Sequence, residues 1–392
     1  MKYSWFDIHF IFFHLIMKDQ YLLKKNIIFL NHGSFGACPK SVFNNYQNWQ
    51  RIIETQPVQY FSSDIYNYLK KSRIALSNFI SCDSNDLIFV PNPTTAINSI
   101  IRSLQIENNY DVLTTNHEYG AMIRVWQWFS KVKGYSLIQK RLEVPFTTKS
   151  NFIEDFWSRV TKRTKIIFMS HITSPTGIIF PVEEICHRAK NEGIMIILDG
   201  AHVPGHIDLN ISGLDPDIYI GACHKWLSAP KGSSFMYVKK EVQNLIDPLI
   251  ISWGKDVDPS ESSFIYENQY QGTRDFSSYL SVSSAINFQK NNKWNIVERK
   301  CRDLTKKTLI SLQEILKTNL LSPVNDNWLG QMASIQLPID DSSKIKNILL
   351  NNFNIEIPIF QWENKNMLRF SFNAYNDEND SIALIDAIKY IF

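Results

Sequence analysis

The stretch Ile194–Lys225, IMIILDGAHVPGHIDLNISGLDPDIYIGACHK, decides how the rest of the chain is read. It opens with five apolar residues, Ile194 to Leu198, the pattern of a strand buried on both faces of a parallel sheet, and it places Asp199 at that strand's C-terminal end. Open α/β sheets bind their ligands at that edge. A second apolar run, Ile218 to Cys223, follows a loop punctuated by proline and aspartate and delivers His224 and Lys225 to the end of another strand. The pattern therefore predicts an acid and an amine facing one crevice. Taken singly, Asp199 also reads as a helix cap and Lys225 as a solvated lysine.

Taken together they suit one chemistry. A lysine that condenses with an aldehyde must be shielded enough to shed its proton, and the pyridinium nitrogen of pyridoxal phosphate needs an anionic partner to stay charged. Each pK unit by which the partner raises that nitrogen corresponds to about 1.4 kcal/mol. The segments LDGAHVPGHIDL, from Leu198, and ACHKWLSAPKGSSFMYV, from Ala222, resemble the class V aminotransferase family of pyridoxal phosphate enzymes, fold type I. Within it they are most similar to the isopenicillin N epimerase-like branch. The resemblance runs from about Phe29 to Asn376, through separate motifs in family order. It implies an α/β fold with a mostly parallel seven-stranded sheet flanked by helices, plus a smaller C-terminal α/β domain. The expected organisation is an N-terminal extension over 1–20, a large pyridoxal phosphate-binding domain over 21–275 whose first part contributes to the small domain, and the small domain over 276–392.

Composition agrees with a globular enzyme. At 392 residues the chain is long enough for a large core and two domains, and 44% hydrophobic with 20% charged residues is ordinary for a soluble protein. The 41 basic residues nearly balance 38 acidic ones, so nothing calls for a nucleic-acid or membrane partner. Five scattered cysteines, Cys38, Cys82, Cys186, Cys223 and Cys301, lack metal-ligand spacing and fit a reducing cytoplasm. No metal is expected. The N-terminal stretch WFDIHFIFFHLIM, Trp5 to Met17, is an apolar run interrupted by Asp7, His9 and His14 and too short for a confident membrane span. It reads as an extra amphipathic helix or as sequence upstream of a start at Met17, in preference to a poor signal anchor.

In chain order, FLNHGSFGACP (Phe29–Pro39) ends a short strand and enters a glycine- and proline-rich turn. The family places this turn at the mouth of the site, so the resemblance makes Asn31, His32 and Gly33 substrate-contact candidates. Ser41 to Asn78 is patterned as helix. LIFVPNPTTAINSIIRSL predicts a strand, Leu87 to Val90, and a helix from about Thr94, whose free N–H groups suit a phosphate. A bare helix cap is the other reading; the resemblance matches Thr94 and Thr95 to the phosphate loop. DVLTTNHEYGAMIRVWQWF predicts a strand, Asp111 to Thr115, and a helix beginning near Tyr119. The resemblance puts Tyr119 at the ring-stacking position, where many family members have histidine and offset stacking adds about 0.5–1.5 kcal/mol beyond area burial; His117 lies two residues earlier. Both are catalytic candidates.

KIIFMSHITSPTGIIFPVEEICHRAKNEG reads strand, loop, helix, with Ser170 to Gly177 beside the cofactor and a helix over Pro181 to Asn191. Desulfurases of this class carry asparagine where this chain has Ser174, and Ser-Pro-Thr-Gly is typical of the epimerase-like branch. The resemblance also implies that His202 bonds the cofactor's ring hydroxyl and that His224 contacts its phosphate. Many relatives have a polar residue two before the lysine; Ala222 departs from them and puts one phosphate hydrogen bond in doubt. In YQGTRDFSSYLSV, Thr273 would reach the phosphate of a neighbouring subunit, which implies a homodimer with shared sites, and Arg274 would receive an acidic substrate group. Asn287 to Thr318 reads as a charged helix with a solvated face. IEIPIFQWENKNMLRFSFNAYND is strand, turn, strand with period-two alternation around Arg369, whose guanidinium suits an α-carboxylate.

The implied function is a pyridoxal phosphate enzyme acting at Cα or Cβ of an amino acid. Lys225 would take the α proton. Return of the proton on the opposite face, from Tyr119 or His117, would make an epimerase; expulsion of a β-sulfur group would make a carbon–sulfur lyase acting on a cysteine conjugate or sulfoxide. Cysteine desulfurase requires a thiolate on a mobile loop, and no cysteine follows Cys301. Transamination shares the early steps without a motif that demands it. A silent scaffold that retained the fold is the non-enzyme reading, and retention of Asp199, His202, His224, Lys225, Thr273 and Arg369 together argues against it.

Overall fold

The computed structural model describes residues 17–255 and 262–392, so the helix expected over the first sixteen residues lies outside them. The strands in chain order are β1 (Ile28–Phe29), β2 (Leu87–Val90), β3 (Asp111–Thr115), β4 (Ser136–Lys140), β5 (Thr164–Ser170), β6 (Met195–Gly200), β7 (Ile218–Ala222), β8 (Ser234–Val238), β9 (Met332–Gln336), β10 (Ile355–Glu356), β11 (Ile359–Trp362) and β12 (Lys365–Ser371). β2 to β8 form one seven-stranded sheet in the order β2-β8-β7-β6-β5-β3-β4. Every strand runs the same way except β8, which is antiparallel to both neighbours.

The continuous apolar runs follow from burial on both faces. Ile166 and Phe168 of β5, Ile197 of β6, and Ile218 and Ile220 of β7 pack into one core. Their neighbours Ile167, Met169, Ile196, Leu198 and Tyr219 point the other way into a second. Successive side chains of a strand alternate between faces, so a sheet covered on both sides needs no polar positions. Helices Pro93–Ser103 and Gly120–Lys133 cover the first face with Ile97, Ile100, Met122 and Trp126. The first of these starts where expected, because proline is tolerated at the first position and Asn92 accepts the Thr95 N–H at 2.8 Å.

Helical boundaries differ in two places. The region expected to be helical from Ser41 to Asn78 is two main helices, Lys40–Thr55 and Ile65–Ile80, interrupted at Gln56, just before Pro57, whose ring cannot continue the hydrogen-bond ladder. The charged helix expected from Asn287 runs instead from Trp294 to Leu316, after a break at Lys293 in the left-handed region. It buries Val297, Cys301, Leu304, Leu312 and Leu316, so its charges coat only the outer side.

The smaller sheet, β11-β12-β9, is antiparallel, and the β11–β12 turn at Glu363 and Asn364 has φ of 48° and 59°, the left-handed pair a two-residue hairpin requires. The expected alternation around Arg369 gives way to burial from Asn366 to Ser371. Close to the N-terminal end of the described chain, β1 pairs in parallel with β10. Side chains from Met17 to Ile388, including those of the small sheet, belong to one continuous core with the second face of the large sheet. Among the described residues no helix is long and apolar enough to cross a membrane.

The loop after β1 lies directly on the segment that follows β7. Gly36 has φ 69°, and a Cβ there would lie 2.6 Å from the Lys225 carbonyl oxygen and closer still to that of His224. Both are backbone atoms, which cannot move aside without moving the lysine. Gly36→Ala should therefore lower stability by about 1–3 kcal/mol from backbone strain alone, with further loss from the overlap. Urea unfolding checks this; an unchanged midpoint contradicts it.

Candidate active site

Three strand ends and two loops build one crevice of about 230 Å³. Ser170 ends β5 and Asp199, its register partner, lies near the end of β6. The chain reverses between β7 and the antiparallel β8, and His224 and Lys225 sit on that reversal. Gly33, Ser34 and Phe35 approach from the loop after β1, and Arg369 from β12. Asn92, Pro93 and Thr94 at a helix start, with Tyr119, Met122, Ile172 and Ser174, complete the wall.

Asp199 and Lys225 do face the same space. The Asp199 carboxylate is buried, which pushes its pKa up, while the Ala201 N–H at 2.9 Å on Oδ1 and the charge of Lys225 pull it back. Burial also lowers Lys225, to about 8, against the pull of Asp199, and Arg369 lowers it further. The Lys225 amine lies 3.2 Å from His202 Nε2.

The indole of Trp226 donates from Nε1 to His202 Nδ1 at 3.2 Å. Because an indole nitrogen can only donate, the neutral His202 ring carries its proton on Nε2, the nitrogen that faces Lys225. Burial drives the His202 pKa well down, with Lys225 and Arg369 adding to the shift, so the ring stays neutral. His206 stacks on Trp226 with centroids 3.8 Å apart, accepts the Gln331 N–H at 2.6 Å, and therefore donates from Nδ1 to the His202 carbonyl at 2.9 Å. Sequence reasoning passed over Trp226 and His206, whose signal is only their adjacency to Lys225 and His202.

Arg369 donates to the Ser174 carbonyl at 2.5 Å, to its hydroxyl at 3.2 Å and to the Ser34 hydroxyl at 2.9 Å. Among the described residues no carboxylate pairs with it, and burial lowers its pKa to about 10. A buried guanidinium without an anion is costly unless a ligand supplies one. Tyr119, half exposed, lies with its ring 6.0 Å from the Lys225 amine, and its phenol bears electrostatically on Arg369.

Several expected site residues stand elsewhere. His117 is wholly buried; Nδ1 meets the Thr176 hydroxyl at 3.0 Å and Nε2 the Leu142 carbonyl at 3.1 Å, among Phe146, Phe180 and Trp362. Both nitrogens are committed to the interior, so it cannot exchange a proton in the crevice. His32 is also buried, bridging the Tyr375 hydroxyl at 2.8 Å and the Lys225 carbonyl at 3.0 Å; it anchors the lysine's backbone and does not line the crevice. Asn31 accepts the Ser34 hydroxyl and so steadies Arg369 at second hand. The Thr95 hydroxyl is turned to Asn92 at 3.1 Å, which leaves Thr94 facing the crevice. Thr273 lies in a separate recess with Tyr66, Trp253, Tyr266 and Tyr270, and Arg274 donates to the Tyr279 hydroxyl at 2.6 Å. Neither reaches this chain's own crevice. Ala222 is fully buried, and its register partner Ser234 holds a hydroxyl 3.4 Å from His224 Nδ1. His224 Nδ1 is 2.9 Å from the Ser233 carbonyl, and burial lowers its pKa to about 4.

A buried acid, a shielded amine, a neutral histidine donor and an unpaired guanidinium around one cavity suit a pyridoxal ring, its aldehyde and an amino-acid carboxylate. The sequence profile of the Aminotransferase class-V family matches residues 37–384. The chain belongs to the class V aminotransferase family. Isopenicillin N epimerase from Amycolatopsis lactamdurans is 28% identical over 95% of this chain and 97% of its own length. Hercynylcysteine sulfoxide lyase from Schizosaccharomyces pombe is 23% identical over 95% and 96%. Among solved structures, a mutant of C-DES with glycine covalently linked to its pyridoxal phosphate superposes with a TM-score of 0.83 at 16% identity, covering 95% of this chain and 98% of that one. This class V protein is thus a pyridoxal phosphate enzyme of fold type I that acts at Cα or Cβ of an amino acid.

The neutral amine is the form that attacks an aldehyde, and it grows as pH rises through the lowered Lys225 pKa. Borohydride trapping of pyridoxal phosphate on Lys225 should therefore accelerate roughly tenfold per pH unit below about 8 and level off above it. Lys225→Ala should retain no covalently attached cofactor after reduction. A midpoint near that of an ordinary lysine would contradict the assigned environment.

Proposed function

We propose that this class V enzyme epimerises an amino acid at Cα, with Lys225 and Tyr119 as its two proton carriers. The observation that carries the reading is their placement: both line the crevice, with the Lys225 amine 3.2 Å from His202 Nε2 and 6.0 Å from the centre of the Tyr119 ring. Pyridoxal phosphate, once bound, supplies the aldehyde for the substrate amine and an electron-withdrawing ring that stabilises charge at Cα.

The chain's own residues do the rest. Asp199 would face the cofactor's ring nitrogen from the β6 end of the crevice, His202 presents Nε2–H beside the amine, and Thr94 and His224 would hold the phosphate. Arg369 takes the substrate α-carboxylate through two parallel bonds, with Ser174 and Ser34 fixing the guanidinium plane. Lys225, lowered to about 8, removes the α proton on one face; the Tyr119 hydroxyl delivers one to the other. Thr273 and Arg274 are assigned to the crevice of a neighbouring subunit in a homodimer, in keeping with their place outside this one. Five free cysteines support a reducing cytoplasm.

Carbon–sulfur lysis is the second reading, supported by the likeness to the sulfoxide lyase and by a Tyr119 hydroxyl able to protonate a leaving sulfur. Sulfur transfer to a cysteine lacks support: Cys301, the last in the chain, is buried in the helix Trp294–Leu316 with its thiol pushed up to about 12.

In deuterated water the recovered amino acid should carry deuterium at Cα and appear as both enantiomers. Tyr119→Phe should slow inversion by about 10²–10⁴-fold while Lys225 still exchanges the α hydrogen of the starting enantiomer. Chiral chromatography with mass spectrometry reads both. Pyruvate with released sulfur in place of the second enantiomer would replace this reading with the lyase.

A further inference from the structure

The structure brings a second buried acid to this site. Glu118 lies in the turn after β3 and its carboxyl is held by two hydroxyls. The Thr115 hydroxyl, 2.7 Å from Oε1, already accepts the His117 N–H at 3.1 Å, so its own proton points to Glu118. The Ser170 hydroxyl stands 2.5 Å from Oε2. Ser170 lines the crevice and is the register partner of Asp199 on the adjacent parallel strand. The two acids thus flank Ser170 from the elements on either side of β5, with the serine hydroxyl between Glu118 and the cavity.

We propose that Glu118 is a positioning residue for the cofactor site, setting through Ser170 the direction of the hydroxyl beside Asp199 and adding a second negative charge there when a cationic ring occupies the crevice. This rests on the pyridoxal phosphate reading of the crevice and extends it to a group outside the lining. With Oε1 committed to Thr115, any proton on Glu118 sits on Oε2, and only the bond to Ser170 can reverse. Charged Glu118 receives the Ser170 O–H, which turns the serine lone pairs to the crevice. Neutral Glu118 donates to Ser170, whose own proton is then free to turn toward the crevice. The change releases or takes up one proton.

Burial raises Glu118 to about 8; the Ser170 and Thr115 hydroxyls pull it down, the charge of Asp199 pushes it up, and the Ser170 N–H pulls it down again. The ionisable group that bears on it is Asp199 of β6, beyond β5, and Lys225 in turn bears on Asp199. A cation at Asp199 offsets the like-charge repulsion, so Glu118 ionises more readily with the cofactor in place.

The test is the pH titration of the bound cofactor's absorbance. Loss of a negative charge near a cationic chromophore lowers its midpoint. Glu118→Gln keeps the Thr115 bond and donates to Ser170, so it holds the neutral arrangement, and the midpoint should fall by on the order of one unit. Ser170→Ala removes a donor that favours the charged carboxylate, keeps Glu118 protonated, and should lower the midpoint likewise. Ser170→Thr restores the hydroxyl and should restore the wild-type midpoint, which separates this role from packing. Should Glu118→Gln fail to fold, the two serine variants decide. A wild-type midpoint in Glu118→Gln or Ser170→Ala overturns the proposal while leaving the cofactor assignment intact. Wild-type protein that stays colourless with pyridoxal phosphate overturns both.

Discussion

A buried amine held close to neutrality organises this protein. Lys225 has Asp199 drawing its proton on and burial, with Arg369, driving it off. The balance needs a cavity dry enough to penalise the ammonium and one acid close enough to keep the penalty moderate. Each supporting layer serves that balance. The reversal between β7 and β8 lifts the lysine above the sheet edge, and His32 and the Gly36 backbone clamp its peptide from above. Trp226, the next residue, holds His202 in the tautomer that faces the amine.

The small sheet enters for a related reason. Arg369 is carried on β12, yet its guanidinium is oriented by Ser174 after β5 and Ser34 after β1. Ser334, its register partner on β9, donates to the Pro175 carbonyl at 2.8 Å and ties the small sheet to the same loop. Three distant parts of the chain therefore fix one cation, and the cost of leaving it unpaired supplies the preference for a carboxylate ligand.

Much of this was legible in residue order. The unbroken apolar run from Ile194 to Leu198 announces a strand buried on both faces, and a charged residue at its end can be soluble only at an opening. The same logic located β2, β3 and β7 and the helix starts beside them. Histidines were harder. His32, His117, His202 and His224 stand in similar local contexts, and only packing separates rings that meet the crevice from those whose two nitrogens are spent on Tyr375, Thr176 and backbone carbonyls. Glu118, between two residues singled out by position, escaped notice because its significance lies in Ser170, fifty-two residues away in sequence.

The sequence by itself determined the doubly covered parallel sheet, the acid and the amine at its edge, and the arginine on the hairpin, because periodicity and residue chemistry are local. Only the tertiary structure decided which nitrogen of His202 carries the proton, that His117 is sealed in an aromatic core, and that a second carboxyl stands behind Ser170. Those outcomes depend on hydrogen-bond partners and desolvation contributed by segments far apart along the chain, and no local pattern encodes them.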